Sequence, residues 1–187
     1  LVGNGDWATH SGNAGDLQVL NNQVVVQHGA PSEDANLSFS PGAGDIFFGI
    51  DFSVTSTEAI SGGDFEYFAH FKDDGFNFSA RLDIVAATSG GDFTVGIASD
   101  DSTADATWAT DLTFGTFYRA VVRFDQPNNQ AQLWVDATNE SDVSILGDDK
   151  ADPGDTVTQF ALRQSDSSQN ETVTVDNLVI GQTFQAS

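Results

Sequence analysis

The chain has no cysteine and no methionine among its 187 residues, which excludes disulfides, thiolate metal ligands and thiol nucleophiles and leaves no sulfur to oxidise. Basic residues are almost as scarce. Six Lys plus Arg stand against 28 Asp plus Glu, a formal charge of −22, and six scattered cations cannot form the stripe that releases counterions from a nucleic acid. Anionic membrane surfaces are disfavoured for the same reason. No apolar run approaches the roughly 20 residues needed to cross a bilayer, so membrane insertion is not expected. Glutamate is also rare, at 5 against 23 Asp. Glu suits helix interiors and Asp suits turns, so the acid marks loops and surface rather than helices. The chain starts at Leu1 without a charged and apolar leader, and the expectation is a secreted, extracellular or cell-surface protein whose signal peptide has been removed, or a piece of a longer one.

What is present is apolar and aromatic: 39% of the residues are hydrophobic, with 15 Phe and 3 Trp. That supplies a core without staples, and the length suits a single β-sandwich domain over residues 1–187. Alternation of period two recurs along the chain. In 45–54, Ile46, Phe48, Ile50, Phe52 and Val54 oppose Asp45, Gly49, Asp51 and Ser53, the pattern of a half-buried strand. In the next segment Phe65, Tyr67, Ala69 and Phe71 oppose Asp64, Glu66, His70 and Lys72, with Phe68 out of phase. Asp73, Asp74 and Gly75 then make a hairpin turn. The return strand is read with Phe76, Phe78, Ala80, Leu82 and Ile84 inward. Further strands are expected at 17–20, 23–27, 35–39, 92–98, 116–124, 130–135, 157–164 and 172–180, separated by turn clusters such as Gln126-Pro127-Asn128-Asn129. No segment has a helical period. Some ten short strands without helices predict an all-β fold, an antiparallel two-sheet β-sandwich of jelly-roll type.

Two stretches carry a family likeness. Gly3-Asn4-Gly5-Asp6-Trp7-Ala8-Thr9-His10-Ser11-Gly12, and Phe160-Ala161-Leu162-Arg163-Gln164 followed by Thr174-Val175-Asp176-Asn177-Leu178-Val179-Ile180-Gly181, resemble secreted bacterial modules of the concanavalin A-like and laminin G-like jelly-roll type. The resemblance implies a non-catalytic structural or adhesive role outside the cell. Related modules carry an aromatic strand upstream of the Gly-Asn-Gly-Asp-Trp region, which this chain lacks, so the resemblance also implies an open sheet edge. A neighbour's Leu1-Val2 or Phe184 end could complete that edge, giving a homo-oligomer or a filament.

The candidate chemistries differ in support. A glycoside hydrolase needs two facing carboxylates. Asp64, Glu66 and His70 share one strand face in the period-two reading, but the Glu-x-Asp-x-x-Glu pattern of laminarinase-like enzymes is absent. His10, His28 and His70 lie in no nucleophile-elbow context and lack paired zinc spacing, and are read as surface or edge residues. No cofactor is required. Calcium is the ion the loops could take, through Asp100, Asp101 and Asp105 in one loop and Asp148, Asp149, Asp152 and Asp155 in another. A glycan would need an aromatic platform beside hydrogen-bonding groups, and Trp108, Trp134 and the neighbouring Gln132 are the candidates, Trp134 by alternation on an outer face. Four Asn-x-Ser/Thr sequons, at Asn36, Asn77, Asn139 and Asn170, are potential glycosylation sites. The function expected first is an extracellular structural or adhesive module, then a carbohydrate-binding one, then a glycosidase.

Overall fold

A computed structural model describes residues 1–2, 5–29, 32–40, 42–61, 66–150, 153–154, 156–164 and 170–184. Among these residues fourteen strands follow one another: β1 Trp7–Ser11, β2 Gln18–Leu20, β3 Gln23–Gln27, β4 Asp34–Ser38, β5 Asp45–Thr55, β6 Glu66–Lys72, β7 Phe78–Ala86, β8 Phe93–Ala98, β9 Ala106–Thr107, β10 Tyr118–Asp125, β11 Gln130–Val135, β12 Ile145–Leu146, β13 Gln159–Arg163 and β14 Thr172–Gly181. Among the described residues the sole helical element is a 3₁₀ turn at Gln126–Asn128, whose Asn128 N–H donates to Asp125 Oδ1. The strands form two seven-stranded antiparallel sheets, ordered β1-β4-β13-β6-β7-β8-β9 and β12-β11-β10-β5-β14-β3-β2. The expected all-β two-sheet sandwich is therefore what the chain forms.

The inward faces meet in one continuous core. Phe48 on β5 reaches across the sandwich to Phe71 on β6 and Phe160 on β13, ring centroids 5.1 and 5.0 Å away and edge-on. Rings at such angles place a positive edge against a negative face. Gly12 fixes the way β1 leaves its sheet: its φ is +75°, and a Cβ there would lie 1.8 Å from the Ser32 carbonyl oxygen. An L-side chain has no room at that point.

The hairpin β6–β7 departs from simple alternation. The pairing slips between Tyr67 and Ala69 and again between Ala69 and Phe71, so Phe68, Ala69 and Phe71 all enter the core. Phe68, out of phase in the sequence, packs on Phe52 at 5.8 Å. Tyr67, read as inward, lies outside the core cluster against His70, Arg81 and Arg163. On β7, Ala80 adopts φ +52°, a left-handed conformation that costs a non-glycine residue about 1 kcal/mol or more. This bulge keeps Ala80 and Leu82 in the core, while Phe76, read as inward, is 73% exposed and Phe78 is half-buried. Two further expectations are overturned. His28 and His70 are buried, not surface residues, and His28 Nδ1 lies 2.6 Å from Glu171 Oε1. No helix of the described residues is long and apolar enough to cross a membrane.

Candidate functional site

The outer face of the first sheet carries an unusual concentration of rings and cations. Because Phe71, Leu82, Ile84 and Leu162 point into the core, their neighbours His70, Lys72, Arg81, Asp83 and Arg163 point out. Arg163 and Arg81 both stack on the Tyr67 ring, their guanidinium carbons 4.3 and 5.0 Å from its centroid, and Arg81 also lies 5.6 Å from the centre of Phe78. The His70 ring sits between Tyr67 at 5.4 Å and Phe78 at 4.6 Å. His10 of β1 closes the row, 4.6 Å from Phe76 and 5.8 Å from Phe78.

At the β6–β7 end this face opens into a cleft of about 220 Å³ lined by Phe76, Asn77, Phe78, Ser79, Arg81, Asp100 and Asn129. The local sequence builds it. Asp73 Oδ1 accepts the N–H groups of Gly75 and Asn77, and Asp73 Oδ2 accepts Asn77 Nδ2–H, which holds the turn shut and displays the Phe76 ring. Opposite it, Asn129, in the left-handed conformation after the 3₁₀ turn, donates from Nδ2 to Asp100 Oδ2 at 3.1 Å. Among the described residues, Arg81 Nε, Asn129 Oδ1, His10 Nε2 and both carboxylate oxygens of Asp83 are buried without a hydrogen-bond partner.

Burial dominates the titration of this face. It holds the His70 imidazole at about 3, against an ordinary 6.5, and nearby Arg81, Arg163 and Lys72 push the same way, opposed by a hydrogen bond from Nδ1 to the Phe71 carbonyl. Burial also drives Asp83 well above the usual carboxylate range and Asp34 upward. The folded state thus refuses a proton at His70 that the unfolded chain accepts below 6.5. His70 stabilises the fold fully above that pH, and its contribution is lost as the pH falls toward 3. Asp34 and Asp83 act in the opposite sense. Comparing His70→Phe with the parent isolates the histidine: the variant's thermal midpoint should fall less between pH 7 and 4.5. Parallel losses would show that His70 does not carry the acid sensitivity.

The residues singled out in the sequence are placed otherwise. Trp134 does face outward, on the second sheet, yet it is 1% exposed beneath Phe184, packed with Phe47, Val121 and Ala137, its Nε1–H donating to the Glu140 carbonyl. Its ring offers no platform. Trp108 is half-buried and borders a separate open cleft with Val135, Asp136, Ala137, Ser141, Asp142 and Val143. Gln132 spends its amide on Ser144 Oγ at 2.7 Å. The three do not converge. Phe76 was missed because the alternation of its strand is broken by the bulge at Ala80; an aromatic directly after Asp-Asp-Gly was the one available signal.

The two acidic loops do meet, but around a cation of the chain itself. Lys150 Nζ lies 2.6 Å from Asp101 Oδ2, 3.3 Å from Asp100 Oδ1 and 3.9 Å from Asp105 Oδ1. Asp105 Oδ2 accepts the N–H groups of Ser99 and Asp148. The hydrogen bond to Asp101 raises the Lys150 pKa and lowers that of Asp101. Asp149 is exposed beside them, and Asp152 and Asp155 lie outside the described residues, as does Asp64 of the carboxylate pair. Its partner Glu66 is 3.9 Å from Arg163. Among the described residues no three His, Cys, Asp or Glu side chains are disposed to hold a metal ion. The ammonium stands where calcium was expected. Calcium or a chelator should therefore leave the thermal midpoint of the parent unchanged, whereas Lys150→Met should lose about 1 kcal/mol or less. A calcium response in the parent would show that Lys150 does not fill the site.

Of the sequons, Asn36 is buried in β4 between β1 and β13, out of reach of a glycosylating enzyme, while Asn77, Asn139 and Asn170 are exposed.

Comparison with family models and with curated protein sequences finds no match. Solved structures do match. A seed lectin of Lotus tetragonolobus superposes with a TM-score of 0.63 at 11% identity, covering 97% of this chain and 94% of the lectin. The alginate lyase AlgAT5 of polysaccharide lyase family 7 gives 0.60 at 12% identity, over 93% of this chain and 85% of the lyase. The carbohydrate recognition domain of Emp47p gives 0.55 at 10% identity, over 96% and 90%. Identities this low speak to architecture alone. The chain has the two-sheet jelly-roll fold of the concanavalin A-like proteins.

Proposed function

We propose that this chain is an extracellular carbohydrate-binding module whose sugar site is the Phe76 cleft. One observation carries the reading: a large ring 73% exposed to solvent stands in a cleft rimmed by the Asn77 and Asn129 amides, the Asp100 carboxylate and the Arg81 guanidinium. A sugar ring has an apolar face of C–H groups and an equator of hydroxyls, and this arrangement answers both. Lectins among the structural neighbours agree with it. The lyases keep an enzymatic reading in view, but of the two imidazoles on this face His70 is sealed between Tyr67 and Phe78 with Nδ1 given to a backbone carbonyl and His10 has its Nε2 buried, which favours binding over proton transfer. A glycan array tests the proposal: binding to at least one immobilised oligosaccharide, displaced by the same sugar in solution and without release of shorter products, is expected. An array with no bound spot overturns it.

A second reading, self-association, rests on the open edges of the second sheet. All three residues of β2 are exposed, Val19 at 43% and Leu20 at 56%, and β12 at the opposite edge exposes Leu146 at 49%. Edges of this kind pair with other strands. Light scattering across ionic strength distinguishes the two, because edge pairing of a chain at −22 should strengthen with salt.

A further inference from the structure

We propose that the ligand of the Phe76 cleft is an acidic saccharide, its carboxylate or sulfate held by Arg81 and Arg163. This rests on the cleft being a glycan site and adds the class of glycan. The ground is the allocation of six cations in a chain with 28 acidic residues. Where acids outnumber bases so heavily, each base is expected to sit against a carboxylate, and three do at 3.7 Å or closer: Arg119 lies 3.1 Å from Asp51, Arg123 3.7 Å from Asp45, and Lys150 2.6 Å from Asp101. The other three, Lys72, Arg81 and Arg163, gather on the outer face of the first sheet. Among the described residues Lys72 donates only to uncharged acceptors, the Asp73 carbonyl and Gln159 Oε1. Among the described residues Arg81 has no carboxylate within 4.0 Å, and Arg163 has one at 3.9 Å, the outer limit of an ion pair.

Both guanidiniums instead lie on the one Tyr67 ring, which fixes their planes at little entropic cost and leaves oxyanion binding to N–H groups other than the buried Arg81 Nε. Arg81 lines the cleft itself, with Nε unpartnered. Lys72 is buried and cannot touch a ligand, but its charge adds to the local field. Of the carboxylates within this face, Asp83 opposes that field least, since burial raises its pKa well above the usual range. Asp100 on the cleft rim and Glu66 beside Arg163 remain as opposing charges, so the attraction for an anionic group is local to the Arg81 and Arg163 guanidiniums, well inside a screening distance of about 10 Å.

Isothermal titration of the full chain with matched oligosaccharides tests this. One pair is oligogalacturonate and the same oligomer after carboxyl reduction; the other is a sulfated galactan oligomer and its desulfated form. The acidic member of at least one pair should bind about tenfold more tightly or better, and the responding pair tells carboxylate from sulfate. Arg163→Gln and Arg81→Gln should abolish the preference, with Arg81→Lys as the variant that keeps the charge if glutamine disturbs the buried Nε. Phe76→Ala should lose both members. Equal binding of neutral and acidic members, or a preference that survives in folded arginine variants, overturns the acidic assignment and leaves the glycan site standing. Binding of neither member of either pair, on a chain that also binds no array sugar, overturns both.

Discussion

Phe48→Ala is expected to cost about 3–5 kcal/mol of folding stability, the range for emptying a fully buried aromatic position. Phe48 is 0% exposed, and its ring is the hub against which Phe71 and Phe160 of the facing sheet turn their edges. Strand β5 cannot move inward to fill the gap, because it is held on one side by β10 and on the other by β14 through long ladders. With no cysteine to cross-link the chain, the lost packing is uncompensated. For a domain of this length the thermal midpoint should drop by roughly 10 °C. Urea unfolding followed by far-UV circular dichroism measures it. A loss below about 1.5 kcal/mol would mean that the two sheets close over the cavity, and that the aromatic contacts are not what holds them together.

Phe48 was legible in the sequence for the same reason that it is central. The inward phase from Ile46 to Val54 is unbroken, with only Phe47 apolar and buried on the other face, and all five inward residues reach the core. Strands β3, β11 and β14 were legible on the same terms, within a residue at their ends. Alternation fails where the backbone breaks step. Strand β1 carries a register shift between Thr9 and Ser11, and β9 and β12 are two residues long, too short for any period to show. In β6–β7 the pairing slips and the positive φ of Ala80 invert the inward readings of both Tyr67 and Phe76, the two rings on which the site depends. The acidic loops were legible as clusters, but their convergence on Lys150 is a contact between residues about fifty positions apart. Composition showed that cations were few. Only the fold shows which of them, among the described residues, lack a close carboxylate.

Phe76→Ala and Trp134→Ala should therefore have opposite effects, and the contrast separates fold from function. The Phe76 ring is 73% exposed and, among the described residues, touches only His10 and Phe78 among aromatic neighbours, so its loss should leave the thermal midpoint within a degree or so, as for surface substitutions generally. The sugar platform is gone, however. Affinity for any array-positive glycan should fall at least tenfold, since a central aromatic carries a disproportionate share of a small interface. Trp134 is 1% exposed, wedged between Phe47 and Phe184 with its Nε1–H donated to Glu140, and its removal opens a cavity and strands that carbonyl. A loss of about 3 kcal/mol is expected, with glycan affinity of the folded fraction unchanged because its ring lies on the other sheet from the cleft. Titration calorimetry at 20 °C, on variants whose folded state is verified by near-UV dichroism, reads both quantities on the same samples. If Trp134→Ala loses sugar at full stability while Phe76→Ala keeps it, the binding face is on the second sheet and the Phe76 cleft is an ordinary surface hollow.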